Sequence, residues 1–241
     1  MLTRYLPIFI ILSLIAEVLG TVGGFGSSVF FVPVANFFLD FQSVLGVTAL
    51  FHLSSNLSKI AFFKKGLNKK LLLTLGIPAV IFVSAGAFLS KYIDPTYLSF
   101  TLSIFLIALS LLFLIFKKIV IAASTKNAII GGSLSGLSAG ILGTGGAIRG
   151  ITMAAFNLSK DTFIATSAVV DLMVDLSRTV IYYYNGYIHK HDLYLIPILI
   201  VVAILGTWIG KKTMDKMSQE QFKKIVLLLI LAIGIASLFS D

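Results

Sequence analysis

Two glycine-rich stretches interrupt otherwise apolar runs, Gly24-Phe25-Gly26-Ser27-Ser28 and Gly143-Thr144-Gly145-Gly146-Ala147. Glycine can turn tightly and expose backbone N–H groups, and a helix that begins just after such a turn directs the positive end of its dipole at a bound anion. In a soluble protein this pattern would suggest a phosphate loop. Within so apolar a chain, it predicts a site for a small anion between broken helices at membrane depth.

Polar side chains recur at helical spacing within two apolar segments, 44–63 and 162–184, and so share one face of each predicted helix. They are Thr48, His52, Asn56 and Lys59 in the first segment, and Ser167, Asp171, Asp175 and Arg178 in the second. Charge inside a membrane span is costly and usually marks a pathway or a coupling site. We therefore expect the two polar stripes to face each other and to serve function.

Two other interpretations of the stripes stay open. Asp175 and Arg178 are three residues apart and could form a neutral pair that holds helices together, with His52 and Asn56 in hydrogen bonds between helices. Asp171 and Asp175 could instead act as a catalytic dyad of an intramembrane enzyme. The nearby Arg178, with His52 and Asn56 in the matching positions, disfavours catalysis. We expect no catalytic residue.

Arg149 and Glu17 are further ionisable candidates inside apolar segments. Arg149 lies four residues after Gly145, where its guanidinium would add to the helix dipole in attracting an oxyanion such as sulfite, a sulfonate or a carboxylate. An arginine that extends to the membrane surface is the alternative. Glu17 is expected either to neutralise one of the buried cations or to carry protons, and the sequence does not choose between these roles.

The composition places the chain among polytopic membrane proteins. Of its 241 residues, 58% are apolar and 12% are charged, and the mean hydropathy of +1.02 exceeds what a soluble domain of this size needs for its core. The chain has no cysteine, which excludes disulfides and thiolate metal sites. Most of the Lys and Arg behind the net charge of +9 lie at segment ends or in loops. They therefore indicate topology and contact with anionic lipid rather than nucleic acid.

Ten apolar segments alternate with short polar loops. They lie at 5–22, 27–39, 44–63, 71–90, 97–116, 127–142, 146–158, 162–184, 193–210 and 222–239. The last three of each half can span a bilayer, which takes about 20 residues, whereas the pairs around the glycines predict hairpins that re-enter the membrane. Segment 5–22 could also span if Glu17 is tolerated. It has no small-residue cleavage site, so we interpret it as part of the fold rather than as a signal peptide.

The two halves of the chain match each other. A shift of 119 residues places Gly26 on Gly145 and Lys59 on Arg178, which indicates an internal duplication. The predicted repeats are 1–120 and 121–241 of one membrane domain.

The distribution of positive charge predicts opposite orientations for the two repeats. If each glycine-broken pair enters and leaves the membrane on one side, thirteen lysines lie on one face and only Arg4, Lys91 and Lys190 lie on the other. A parallel arrangement would divide these residues nine against seven. The positive-inside rule favours the first division. We therefore expect inverted repeats, with both termini outside.

Residues 24–33 resemble the G-x-G-G-G-x-x-x-x-P signature of the sulfite exporter TauE/SafE family, and residues 143–147 resemble its second copy. Four positions depart from the family's glycines and proline, and they are Ser27, Ser28, Ala147 and Thr152. Size, duplication and segment order match over nearly the whole chain. The resemblance implies a permease for small anions, typically sulfite, sulfonates or related organic acids, in a bacterial or archaeal cytoplasmic membrane.

Together these features predict a secondary transporter of small anions that works by alternating access. We expect substrate contacts from the glycine loops and three cations, namely Gly24, Gly26, Ser27, Ser28, Lys59, Gly143, Thr144, Gly145, Gly146, Arg149 and Arg178. Polar or coupling roles are expected for Glu17, His52, Asn56, Asp171 and Asp175. An anion channel with the loops as its filter is the alternative. No cofactor, metal or nucleic acid is expected, and proton or sodium coupling and homo-oligomerisation stay open.

Overall fold

The computed structural model describes residues 2–24, 26–63, 66–115 and 121–214, together with Leu231 and Ile235. Regular structure within this part of the chain is helical, and it contains no strand. The helices are α1 (Leu2–Gly23), α2 (Ser28–Asn36), α3 (Phe41–Phe62), α4 (Lys69–Leu71), α5 (Ile77–Ser90), α6 (Pro95–Ile115), α7 (Thr125–Leu142), α8 (Gly146–Ala154), α9 (Lys160–Asn185) and α10 (Leu195–Thr213). Apart from Leu231 and Ile235, the predicted segment 222–239 lies outside the described residues. Seven of the thirteen lysines used to predict topology lie outside them as well.

Among the described residues, four helical stretches are long and apolar enough to cross a membrane. They are Tyr5–Gly23, Lys69–Ser90, Pro95–Leu112 and Leu195–Thr213. The second is continuous because a π-helical turn, Leu72–Gly76, joins α4 to α5. Helices α3 and α9 have 22 and 26 residues but carry the polar stripes. The prediction of an all-α fold with several membrane-spanning helices is confirmed for the described residues.

Polar caps and glycines set where the helices begin and end. Asp40 accepts a hydrogen bond from Ser43 N at the start of α3, and Ser159 accepts one from Thr162 N at the start of α9. At its other end, α9 stops at Gly186, which has a φ of 82°. These local signals explain why the helix bounds fall within a few residues of the segments predicted from the sequence.

The helices that follow the glycine loops are short. Helices α2 and α8 each have nine residues, so each is only about 14 Å long. The segments predicted for these helices, 27–39 and 146–158, have 13 residues each. Both helices are shorter than predicted because the chain leaves the helical conformation before the apolar segment ends. After α8 it turns through Asn157, which has a φ of 53°. Almost all of α2 is buried, so this helix lies inside the protein.

Helices α3 and α9 run antiparallel at the centre of the fold. The start of α3 lies against the loop after α9, since a Cβ at Gly46 would be 2.2 Å from the Tyr187 carbonyl oxygen. The middle of each helix meets the other where Asn56 bonds Asp175. The end of α3 lies near the start of α9, where Phe63 packs with Ile164. The two polar stripes therefore face each other.

Small residues bring four of the other long helices together in two matching pairs. Helix α7 packs along α5, where a Cβ at Gly136 would lie 2.2 Å from the Ala79 carbonyl oxygen. Helix α1 packs along α10, where a Cβ at Gly206 would lie 2.7 Å from the side chain of Glu17. Such close approach is typical of membrane helices. In both pairs, the helix of the first apolar segment of one half packs on the helix of the fourth apolar segment of the other half. These are α1 on α10, and α7 on α5.

Candidate functional site

The two glycine loops, which join α1 to α2 and α7 to α8, meet inside the protein. Thr144 Oγ1 donates a hydrogen bond to Ser28 Oγ at 3.3 Å, although these residues are 116 positions apart. Gly24, Gly26 and Gly143 have φ angles of 72°, 90° and 75°, which glycine adopts without strain. The structure thus brings the two predicted loops into contact at the junction of the two halves.

Each loop leads into a helix whose first residue is buried. Ser27 precedes α2 and Gly145 precedes α8, and neither residue caps its helix with a side-chain hydrogen bond. The first helical residues, Ser28 and Gly146, are buried. A helix N-terminus has backbone N–H groups without intrahelical acceptors and carries the positive end of the dipole. Two such ends in one buried region can hold a small anion through backbone donors.

The Glu17 carboxylate on α1 is fully buried and forms an ion pair with Lys59 on α3. Lys59 Nζ lies 2.9 Å from Glu17 Oε1. Four hydroxyl groups also donate hydrogen bonds to this carboxylate, from Thr21 (3.2 Å), Ser27 (2.6 Å), Ser55 (2.7 Å) and Thr207 (3.0 Å). Burial of a carboxylate requires such partners. Glu17 thereby joins α1, α3, α10 and the first glycine loop.

His52 connects the first glycine loop to the second polar stripe. Because the Ser27 hydroxyl proton goes to Glu17, His52 Nε2 donates to Ser27 Oγ at 3.1 Å. The other ring nitrogen, Nδ1, lies 3.9 Å from Asp175 Oδ2. In the neutral tautomer, Nδ1 therefore presents a lone pair to a carboxylate. A proton on either group would convert repulsion into a hydrogen-bonding attraction.

Asp175 is the centre of the second buried ion pair. Asn56 Nδ2 donates to Asp175 Oδ2 at 2.7 Å across the α3–α9 interface, and Arg178 Nε donates to Oδ1 at 2.8 Å. Arg178 Nη1 also donates to the carbonyl oxygens of Ala139 and Gly143, at 3.2 Å and 2.8 Å. The Arg178 guanidinium therefore stabilises the negative end of α7 beside the second glycine loop.

Arg149 on α8 forms the third buried ion pair, with Asp171 on α9. Its two terminal nitrogens bind the two carboxylate oxygens, and its Nε donates to Ser167 Oγ at 3.0 Å. A Cβ at Gly26 would lie 3.3 Å from Asp171 Oδ2, so the first glycine loop contacts this pair. Arg149 is buried, which does not fit an arginine that extends to the membrane surface.

Each cation that the sequence singled out thus contacts a carboxylate. Glu17 neutralises Lys59, which is one of the two roles left open for it. The pair between Asp175 and Arg178 forms, as its spacing allowed, and Asn56 makes a hydrogen bond between helices. Such contacts are compatible with helix packing and with a role in transport. They bring the glycine loops and both stripes into one connected polar region.

Several members of this region were not identified from the sequence. Ser55 follows His52 by three residues and precedes Lys59 by four, so helical spacing alone could have placed it on the stripe. Thr207 joins the Glu17 cluster only because α10 packs on α1. Tyr182 follows Arg178 by four residues, so helical spacing could have extended the second stripe to it, and its hydroxyl donates to the Gly140 carbonyl oxygen at 2.8 Å.

The polar stripe also has a buried hydroxyl that is not satisfied. Thr48 lies one turn before His52 on α3 and is buried, and its Oγ1 has no hydrogen-bond partner among the described residues. Buried hydroxyls normally have a partner, and an ion or water often supplies it. Thr48 is thus available to a ligand next to His52.

Comparison with known proteins agrees with this architecture. The sulfite exporter TauE/SafE family model matches residues 9–237. A probable membrane transporter protein of Methanocaldococcus jannaschii is 27% identical over 258 aligned residues, which cover 97% of this chain and 94% of that relative. No solved structure matches the chain. With a family model that extends over nearly its whole length, this chain belongs to the sulfite exporter TauE/SafE family.

Proposed function

We propose that this protein is a secondary transporter of small oxyanions such as sulfite, sulfonates and related organic acids, and that it holds the anion between its two glycine loops. The observation that carries the proposal is the contact between Thr144 and Ser28, which brings the starts of α2 and α8 together. Backbone N–H groups at these two helix starts would replace the hydration shell of the anion, and the hydroxyls of Ser27, Ser28 and Thr144 would join them by turning from their present partners.

The pair between Arg149 and Asp171 is the one that we expect the anion to open. The side chain of Asp171 is 14% exposed, whereas those of Asp175 and Glu17 are 3% and 0% exposed. Asp171 is therefore the carboxylate that can leave its cation with the least rearrangement. An entering oxyanion would take its place on the Arg149 guanidinium, whose fork geometry suits two oxygens.

We further propose that transport is coupled to protons through His52. The ring lies between Ser27, at the anion loop, and Asp175, on the facing helix. Protonation would let Nδ1 donate toward Asp175 while Nε2 still donates to Ser27. Because the same ring contacts the loop and Asp175, a loop movement that brings Nδ1 closer to Asp175 would favour protonation, and protonation would favour that movement, which is the requirement for coupling. A transport rate that does not respond to a pH gradient would contradict this role.

Alternating access would arise from two inverted repeats in the cell membrane, with both termini outside. The antiparallel α3 and α9, which are equivalent segments of the two repeats, support this arrangement. The two matching helix pairs support it as well, because α1 packs on α10 as α7 packs on α5, each time across the two halves. Single cysteines can test it, because Lys70, at the start of α4, and Lys190, between α9 and α10, are exposed at positions predicted on opposite sides. Only the cysteine at 190 should react with an impermeant thiol reagent in whole cells.

The test of function is uptake into proteoliposomes. A panel of labelled sulfite, a sulfonate and a carboxylate is offered with and without a pH gradient, and protein-free liposomes serve as the control. A transporter should show saturable uptake that internal unlabelled substrate accelerates by exchange. The runner-up function, an anion channel, would give ionic current without this acceleration. Failure of every oxyanion to enter faster than into protein-free liposomes would refute the proposal.

A further inference from the structure

Three potential metal ligands meet in the loop between α9 and α10, outside the buried polar region. They are His189, His191 and Asp192, and their ligand atoms all lie within 4.8 Å of one another. Asp192 Oδ2 is 3.7 Å from His189 Nδ1, and Asp192 Oδ1 is 3.5 Å from His191 Nε2. One carboxylate therefore lies against two imidazoles, which is a typical ligand set for zinc and related transition metals.

The Asp192 carboxylate itself indicates a missing partner. Its side chain is only 5% exposed, and its Oδ2 atom has no hydrogen-bond partner among the described residues. A buried carboxylate oxygen without a donor is costly, and an ion or water commonly resolves such a case. A divalent cation would supply both the charge and the contacts. The His191 side chain is 74% exposed, so an ion could reach the group from solvent.

The surroundings of His189 also suit a ligand. Ser43 Oγ donates to Asp40 Oδ2 at 2.7 Å, so the 2.7 Å contact between Ser43 Oγ and His189 Nδ1 uses a proton on the imidazole. His189 then keeps a lone pair on Nε2, the other nitrogen of the ring whose Nδ1 lies 3.7 Å from Asp192, so Nε2 is the atom that would bind the ion. Metal-binding histidines usually donate their other N–H to such a partner, which fixes the ring and the tautomer.

The ligand atoms, which lie within 4.8 Å of one another, must move closer together to bind one ion. Tetrahedral zinc with nitrogen and oxygen ligands at about 2.0–2.2 Å places neighbouring ligand atoms roughly 3.3–3.6 Å apart. The two imidazole rings stack with an interplanar angle of 10° and a centroid distance of 5.2 Å. Because His191 is exposed, its ring can rotate toward Asp192 without disturbing the packed part of the loop.

We propose that His189, His191 and Asp192 bind a divalent transition metal ion, with Zn²⁺ as the best match, and that solvent completes its coordination. The loop is already held to α3 by the close contact of Gly46 with Tyr187 and by the bond from His189 to Ser43. The bound ion would therefore stabilise the α9–α10 loop and fix the His189 ring that contacts Ser43. This site does not depend on the proposed anion transport.

Calorimetric titration with Zn²⁺ alone tests the site on the full-length protein, purified through a tag that contains no histidine. The wild type should bind one ion per chain, and Zn²⁺ should raise its melting temperature. His191→Ala should weaken binding by at least tenfold while the melting temperature without metal stays unchanged, because this side chain is exposed. Lys190→Ala, in the same exposed turn, is the matched control and should bind like the wild type.

A second variant separates ligation from simple surface attraction. Asp192→Asn keeps the size of the side chain but removes its charge, and it should also weaken binding at least tenfold. A Co²⁺-loaded wild type should show the visible absorption of a tetrahedral site, and His191→Ala should lose it. Equal Zn²⁺ affinity in the wild type and both ligand variants, or no binding by the wild type, would overturn the proposal.

Discussion

Replacement of Gly26 by alanine tests the first glycine loop without altering any charge. The φ angle of Gly26 is 90°, and that of Gly186, at the end of α9, is 82°. A Cβ in this left-handed region costs about 1–2 kcal/mol at either position. The two sites differ in what the new methyl meets. At Gly186 nothing lies within 4 Å, whereas at Gly26 the methyl would lie 3.3 Å from Asp171 Oδ2 and 3.5 Å from Arg149 Nη2.

Gly186→Ala is therefore a matched control for backbone strain. Both variants should lose a similar amount of stability, and both should show a similar fall in melting temperature in detergent. Only Gly26→Ala places a methyl between the loop and the pair that the anion is proposed to open. We expect its apparent affinity for the transported anion to fall at least tenfold, which corresponds to about 1.4 kcal/mol, while Gly186→Ala transports normally.

Labelled oxyanion uptake into proteoliposomes, with protein content matched, provides the measurement. Equal transport losses in the two variants would assign the defect to folding. Normal transport by Gly26→Ala would show that the loop does not contact the substrate. Gly145 cannot serve in the same way, because a Cβ there would lie 2.0 Å from the Ser135 carbonyl oxygen and would disturb α7.

Three further predictions concern the ion pairs and a helix cap. Arg178→Gln should leave Asp175 buried without its cation, which should lower the free energy of unfolding by about 3–5 kcal/mol. Adding Asp175→Asn should restore the yield of folded protein but not anion transport. Full recovery of transport in this double variant would show that the pair serves only helix packing. Glu17→Gln should leave Lys59 buried without its carboxylate and should therefore lower the melting temperature, with a loss of unfolding free energy similar to that of Arg178→Gln. An unchanged melting curve would show that this ion pair contributes nothing to stability. Asp40 caps α3, and although burial opposes its ionisation, hydrogen bonds from Ser43 hold its pKa below the usual value. A lowered folded pKa adds stability above the unfolded value of about 3.9 and loses it as pH falls through the folded value. The stability advantage of wild type over Asp40→Asn should therefore shrink below about pH 4, and a constant difference in melting temperature would contradict this.

The helical segments and the glycine loops could be predicted because their signals are local. Apolar runs, polar caps and glycines identify where each helix begins and ends, and helical spacing placed Asn56 and Asp175 on faces that do meet. The ion partners could not be predicted, because they depend on which helices pack together. Lys59 meets Glu17 only because α1 and α3 both pack against α10.

The His189 group escaped prediction for a different reason. Its residues are adjacent in sequence, but exposed histidines near an aspartate are common in loops. What distinguishes Asp192 is its burial and the unsatisfied oxygen, and both arise from how the loop packs in three dimensions. The shortness of α2 and α8 was likewise hidden, because the apolar composition continues past the point where each helix ends.

The balance of the three buried ion pairs has an electrical consequence. Lys59, Arg149 and Arg178 are matched by three carboxylates, so rearrangement of the empty protein across the bilayer would move no net charge. The membrane potential would then act only on the loaded form, at about 2.3 kcal/mol per elementary charge for every 100 mV. In a cell membrane with a negative interior, a monovalent anion carried alone would be driven outward by voltage, and a monovalent anion accompanied by a proton would not respond to it.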